Sequence, residues 1–173
     1  MSAARSASVR IRTAAAHDFA EIAAIYGHYV RHATCTFELE PPPEAEMLAR
    51  WEAVQRAGLP WLVAEDAAGR VAGYAYASRY RERPAYRHTV ENSVYVANGR
   101  GGEGIGSRLL GELIARSTGG DFLQMVAIIG DSGNAASLAL HARHGFRRVG
   151  VLEGVGFKHG RWLDTVIMQR SLC

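Results

Sequence analysis

Residues 99–106 read GRGGEGIG and place five glycines between the apolar run SVYV and the helical pattern SRLLGELIAR. A strand that enters such a turn and leaves it as a helix has few ways to fold. The first amides of the helix have no partner within it, and the helix dipole adds roughly half a positive charge at that end. Glycines allow positive φ and let a ligand approach the backbone closely, so the turn is a ready anion site. Two frames fit it. Gly99, Gly101 and Gly104 satisfy G-x-G-x-x-G, the dinucleotide fingerprint. The six residues 101–106 instead read x-x-x-G-x-G, a pyrophosphate loop of the coenzyme A type.

The order of elements separates the frames. SVRIRTA (8–14) alternates as a first strand, and DFAEIAAIYGHYV (18–30) is a helix with Phe19, Ile22, Ile25 and Tyr26 on one face and Asp18 as its cap. PPPEAEMLARWEAVQRAG gives a second helix ending at Gly58, and residues 61–80 form a hairpin around a turn containing Gly69. HTVENSVYV (88–96) is a strand, and the helix after the loop buries Leu109, Leu110, Leu113 and Ile114. FLQMVAIIG (122–130) is a buried strand, and NAASLALHARHG a helix closed by Gly145. FRRVGVLEG (146–154) and WLDTVIMQRS (162–171) are two closing strands. The order predicts a mixed α/β layer with an antiparallel first half. A dinucleotide domain would instead carry its glycine turn after the first strand of a repeating βαβ unit. Asp121 lies about 20 residues past the turn, as the ribose-binding acid would, but it precedes its strand where that acid would end one.

At 173 residues the chain is long enough for one core, and residues 8–173 are expected to form one domain behind a disordered segment 1–7. Its longest aliphatic run, MVAII at 125–129, is far too short to span a bilayer, and no apolar stretch near the N-terminus reads as a secretory signal. A net charge of +3 suits an anionic ligand without calling for nucleic acid. Only Lys158 among 20 basic residues is lysine, which reads as a coding bias. Cys35 and Cys173 are not paired by any spacing rule, and a cytoplasmic chain keeps both reduced. His28, His32 and Cys35 lack the spacing of a metal motif and read as a solvated helix end, so no metal is expected.

A strand, a loop ending in Gly-x-Gly, a helix, and then strand–helix with N…S…H…GF resembles the acetyl-CoA core of the GNAT acetyltransferases. TFELEPP, WLVAED, GYAYASRYRERPAYRHTVENSVYV, IGDSGNAAS, LHARHGF and GVGFKHGRWLDTVIMQRSL are similar to the phosphinothricin and methionine-sulfoximine N-acetyltransferases, over residues 9–172. That resemblance implies a mixed, mainly antiparallel central sheet flanked by helices. It implies acetyl-CoA as co-substrate, held by the backbone N–H groups of Gly102, Glu103, Gly104, Ile105, Gly106 and Ser107. Those of Val94, Tyr95 and Val96 would bind the pantetheine arm and polarise the thioester. The loop departs from the family's Q/R-x-x-G-x-G/A: Gly101 holds the first position, Arg100 stands one place early, and position 103 is Glu103. A carboxylate aimed at pyrophosphate would repel it, so the Glu103 side chain is expected to point outward.

Acetyl transfer to an amine needs a base, because a model α-amino group with a pKa of roughly 7.7–8.0 is mostly protonated at neutral pH. In residues 88–96, Thr89, Glu91, Ser93 and Tyr95 share one strand face and Val90, Asn92, Val94 and Val96 the other, so the first lines a polar groove and the second faces the core. The resemblance places the base at Glu91. If Asn134 caps its helix, Ser137 and His141 lie on one face; the resemblance makes Asn134 and Ser137 coenzyme contacts and His141 an aid to proton transfer. His144 is assigned no catalysis. The cluster RYRERPAYRH could grip a carboxylate or phosphinate through arginine, or bind nucleic acid, or simply be solvated. By resemblance Arg81, Glu82, Arg83 and Tyr86 form the substrate loop, together with Glu91, Asn92 and Ser93.

The expected function is acetylation of the α-amino group of small glutamate-like amino acids (phosphinothricin, methionine sulfoximine, methionine sulfone) by direct attack in a ternary complex. The expected partner is that small molecule, with no nucleic acid or membrane, and the resemblance implies a homodimer. The alternatives are a GNAT enzyme for a protein N-terminus, polyamine or aminoglycoside, and a coenzyme A-binding module without turnover.

Overall fold

The computed structural model describes residues 8–173, so the segment 1–7 expected to be disordered lies outside the described residues. Strand β1 (Arg10–Thr13) is followed by α1 (Phe19–His32), α2 (Glu44–Arg56), β2 (Trp61–Glu65), β3 (Val71–Arg79) and β4 (Thr89–Val96). Then come α3 (Ile105–Ser117), β5 (Gln124–Gly130), α4 (Ala135–Arg143), β6 (Arg147–Lys158) and β7 (Arg161–Ser171). The strands form a single seven-stranded sheet in the order β1-β2-β3-β4-β5-β7-β6. All neighbours are antiparallel except β4 and β5. This is the mixed, mainly antiparallel α/β arrangement the sequence implied.

Period-two alternation assigns the two faces of the sheet. Tyr74 and Tyr95 are register partners, and Tyr95 packs against Tyr26 and Tyr29 of α1. The opposite face receives α3, whose Leu109, Leu110 and Leu113 are fully buried. Gly73 sits beneath Leu109, where an added Cβ would come within 2.8 Å of the Tyr95 carbonyl on β4 and 3.2 Å of Leu109 Cδ1, so glycine lets both the strand and the helix lie this close.

Two expectations change in detail. Asp18 does not cap α1: its buried carboxylate accepts from Arg12 Nη1 and Nη2 at 2.8 and 2.7 Å and from the Ala15 amide at 2.8 Å. A charged partner on β1 outcompetes the neutral amides of the helix. Strand β6 runs to Lys158 rather than Gly154, because an irregularity between Leu152 and Gly156 absorbs the mismatch and the pairing with β7 resumes.

The parallel pairing of β4 and β5 is short. It joins Thr89 through Asn92 to Gln124 through Ala127 and then stops. Beyond Asn92 the strands part, and the gap opens into a cavity of about 680 Å³ between β4, β5, α4 and the start of α3.

Candidate active site

The glycine loop forms one end of this cavity. Gly102 and Gly104 have φ of +81° and +78°, and Gly104 is the residue from which α3 starts. Gly101, Gly102, Gly104, Ile105, Gly106 and Ser107 line the cavity; Glu103 does not. The Glu103 carboxylate instead accepts from Arg100 Nε at 3.0 Å and Nη2 at 2.9 Å, while Arg100 Nη1 reaches Asp66 at 3.2 Å. The arginine that stands one place early is therefore held by two carboxylates. The anion-binding capacity of the loop rests on backbone amides at the mouth of α3, which suits a pyrophosphate.

Strand β4 supplies the long wall. The Ala97 amide donates to Ala72 on β3, so by alternation the amides of Ser93 and Tyr95 also turn to β3, and those of Val94 and Val96 turn into the gap. Of the three amides implied by resemblance, Tyr95 is thus engaged within the sheet. Tyr29 donates to the Val96 carbonyl at 2.6 Å, and the Val94 and Val96 amides are the backbone donors this wall offers. The sequence put the Val94 and Val96 side chains in the core. They do pack against the core, beside Gly106 of α3, and because β5 has parted from β4 the same two residues also line the cavity.

At the apex of the gap lies Asn92, 5 % exposed. Its Nδ2 donates to the Val126 carbonyl at 3.1 Å and its Oδ1 faces His141 Nε2 at 3.0 Å. The amide is committed to protein groups on the α4 side of β4, away from Glu91 and Ser93, with which it was grouped as a substrate contact. Asn134 caps α4 by accepting from the Ser137 amide at 3.2 Å. One turn on, His141 Nδ1 lies 2.8 Å from the Ser137 carbonyl, and the ring packs edge-on to Phe146. Burial holds the His141 pKa below its ordinary value, the bond to Ser137 opposes that, and His144 adds to it. His144 itself meets Ser107, its Nε2 at 2.9 Å from Oγ.

Glu91 occupies the other face of β4, toward α1 and α2. Burial raises its pKa and the nearby Arg81 partly offsets this. Arg81 stacks over Tyr80, with Tyr86 at that ring's edge. Arg81, Glu82, Arg83 and Tyr86 are all exposed and line none of the large cavity. Only Arg81 acts on Glu91 electrostatically.

Several lining residues carried no sequence signal. The segment after α1 crosses the end of β5 so closely that a Cβ on Gly130 would lie 2.8 Å from the Thr34 carbonyl and 3.1 Å from that of Cys35. Thr34 Oγ1 donates to Asp131 at 2.7 Å. Cys35 lines the cavity, but burial pushes its thiol pKa up, which makes it a poor nucleophile. Lys158, the single lysine of the chain, is buried and donates to the Thr36 carbonyl at 2.7 Å, tying the same segment to the β6–β7 hairpin. Arg143, at the end of α4, lines the rim. Among the described residues no cluster of His, Cys, Asp or Glu is placed to hold a metal ion.

Residues 11–167 match the family described as "Acetyltransferase (GNAT) domain". A phosphinothricin N-acetyltransferase of Alcaligenes faecalis is 54 % identical over 162 residues, covering 94 % of this chain and 82 % of that protein. An L-methionine sulfoximine/L-methionine sulfone acetyltransferase of Pseudomonas aeruginosa is 44 % identical over 165 residues, 95 % of each. A solved phosphinothricin acetyltransferase of Sinorhizobium meliloti in complex with acetyl-CoA superposes with a TM-score of 0.91 at 45 % identity, covering 95 % of this chain and 88 % of that one.

Proposed function

The chain belongs to the GNAT acetyltransferase family, and from that premise we propose that it acetylates the α-amino group of small glutamate-like amino acids, with L-phosphinothricin, methionine sulfoximine and methionine sulfone as acceptors. One observation carries the reading. Glu91 and His141 stand on opposite faces of β4, near the point where β4 and β5 part. An amine approaching from the α1/α2 side meets a base, and a thiol leaving on the α4 side meets a proton carrier.

Acetyl-CoA supplies an activated acetyl thioester, for which the amides of Gly102, Gly104, Ile105, Gly106 and Ser107 form the pyrophosphate cradle. Val94 and Val96 direct their amides into the gap, where they polarise a carbonyl as an oxyanion-type pair. Glu91 takes the proton that the amine loses as the N–C bond forms. Its raised pKa makes it a stronger base than an exposed carboxylate, and Arg81 partly offsets that rise. His141 returns a proton to the sulfur as the C–S bond breaks. Cys35 takes no part, so no acyl-enzyme forms. The Arg81 guanidinium, exposed and beside Glu91, is the carboxylate or phosphinate grip. Cationic acceptors are disfavoured there by like charge.

The protein acts as a cytoplasmic homodimer in this reading. Support comes from the exposed apolar side chains of the β6–β7 hairpin: Leu152, Val155, Phe157 and Trp162, the last 69 % exposed. Among the described residues no helix is long and apolar enough to cross a membrane.

A thiol-release assay with L-phosphinothricin, methionine sulfone and spermine tests the acceptor class. Turnover of the first two with little on spermine is expected; a preference for spermine overturns the reading.

A further inference from the structure

The surroundings of His141 pose a problem of hydrogen bookkeeping. Nδ1 faces the Ser137 carbonyl at 2.8 Å and Nε2 faces the Asn92 amide oxygen at 3.0 Å. Both are acceptors, and a neutral imidazole has one hydrogen to give. Turning the Asn92 amide over does not help, because its nitrogen is fixed by the Val126 carbonyl at 3.1 Å and a flipped oxygen would face that carbonyl. The two neutral tautomers are therefore unequal. With hydrogen on Nδ1, the bare Nε2 has only the Asn92 oxygen before it. With hydrogen on Nε2, Asn92 is satisfied, and the bare Nδ1, although it faces the Ser137 carbonyl, can also accept from the Ser137 hydroxyl at 3.4 Å, a donor that Nε2 lacks. The charged ring satisfies both carbonyls at once.

We infer that Asn92 is a positioning residue for His141: its amide oxygen, locked by Val126, keeps the ring hydrogen on Nε2 and orients the imidazole at the apex of the cavity. Asn92 is the last residue of β4 that pairs with β5, so the amide is anchored at the one point where the gap has a fixed width. Two acceptors around a buried ring also favour its charged form against the desolvation that disfavours it. His144, just past the end of the same helix, opposes that charge. Glu91 projects from the other face of β4, and the Phe146 edge is uncharged. The inference builds on the reading of His141 as proton donor to the sulfur, but can fail or stand without it.

Histidine labelled with 15N, in the free enzyme, reports the tautomer directly; the spectrum of His141→Gln picks out the signal among seven histidines. The neutral ring of the native protein should carry its hydrogen on Nε2. In Asn92→Leu, with the acceptor gone, the hydrogen should move to Nδ1 and the Ser137 carbonyl. In Asn92→Asp it should stay on Nε2, and the titration midpoint of the ring should rise. A native ring protonated on Nδ1, or a folded Asn92→Leu with unchanged tautomer, overturns the inference. If Asn92→Leu does not fold, the native tautomer and the direction of the Asn92→Asp midpoint decide. The alkaline limb of kcat, measured in the same variants, separates the two claims. A tautomer that reverses while the limb stays in place upholds Asn92 as the positioning residue and removes His141 as the acid.

Discussion

Arg100 is the cation nearest the glycine loop in sequence, yet two carboxylates hold it. It donates three hydrogen bonds to Glu103 and one to Asp66, a carboxylate that Arg70 also pairs at 3.5 Å, so its charge is neutralised within the cluster beside an expected anion site. Glu103→Gln removes one negative charge from that cluster and frees the guanidinium to turn. One unit charge acting on one phosphate charge across roughly 8 Å of water is worth about 0.5 kcal/mol, and on a diphosphate about 1 kcal/mol. Arg100 and Glu103 are 26 % and 28 % exposed, so the watery value is the appropriate one. The KM for acetyl-CoA should therefore fall about two- to fivefold at low ionic strength, with kcat unchanged. At about 1 M salt, where the screening length is about 3 Å, the gain should vanish. The assay is initial-rate thiol release against acetyl-CoA at saturating acceptor, at two salt concentrations. An unchanged KM at low salt refutes the electrostatic argument. A rise would mean that Glu103 serves to hold the loop in shape.

Arg81→Ala removes the charge that offsets the effect of burial on Glu91. A base works only when ionised, so the acid limb of kcat should move to higher pH; a pH–rate profile at saturating acceptor checks this. Asp18→Ala should cost about 2–4 kcal/mol in urea unfolding, since it removes the buried carboxylate that accepts two bonds from Arg12 and one from the Ala15 amide, leaving those donors without it. Burial pushes the Asp18 pKa up, but the Arg12 and Ala15 bonds outweigh it and hold it below the usual carboxylate range. Its stabilising effect is accordingly present above the unfolded pKa and lost as pH falls through the depressed folded one. Gly130→Ala should displace the 34–37 segment, because its Cβ meets two backbone carbonyls rather than a side chain that can turn aside. A lowered melting temperature and a raised KM for acetyl-CoA are the expected readouts.

The parts of this architecture that depend on local pattern could be read from the chain. The glycine loop, the Leu109, Leu110 and Leu113 stripe, and the Asn134 cap each follow from a few adjacent residues, and all three stand where expected. What could not be read depends on which strands are neighbours. Val94 and Val96 are core positions by alternation, and only the parting of β5 from β4 also makes them a cavity wall. The resemblance grouped Asn92 with its chain neighbours Glu91 and Ser93 as a substrate contact. Its partners Val126 and His141 lie 34 and 49 residues away, and no local rule connects them. Asp18 made a reasonable cap until Arg12, on another element, proved the stronger partner. Lys158 and Cys35 gained meaning only when the segment after α1 was seen to cross β5.

The central claim is that Glu91, on the α1/α2 face of β4, removes the proton of the acceptor amine. The direct measurement is kcat of Glu91→Gln with L-phosphinothricin, beside the affinity for acetyl-CoA by calorimetry. A fall in kcat of about 10²- to 10⁴-fold is expected, narrowing at high pH as the amine loses its own proton, with acetyl-CoA affinity preserved. A kcat within a few-fold of the native enzyme at neutral pH would contradict it.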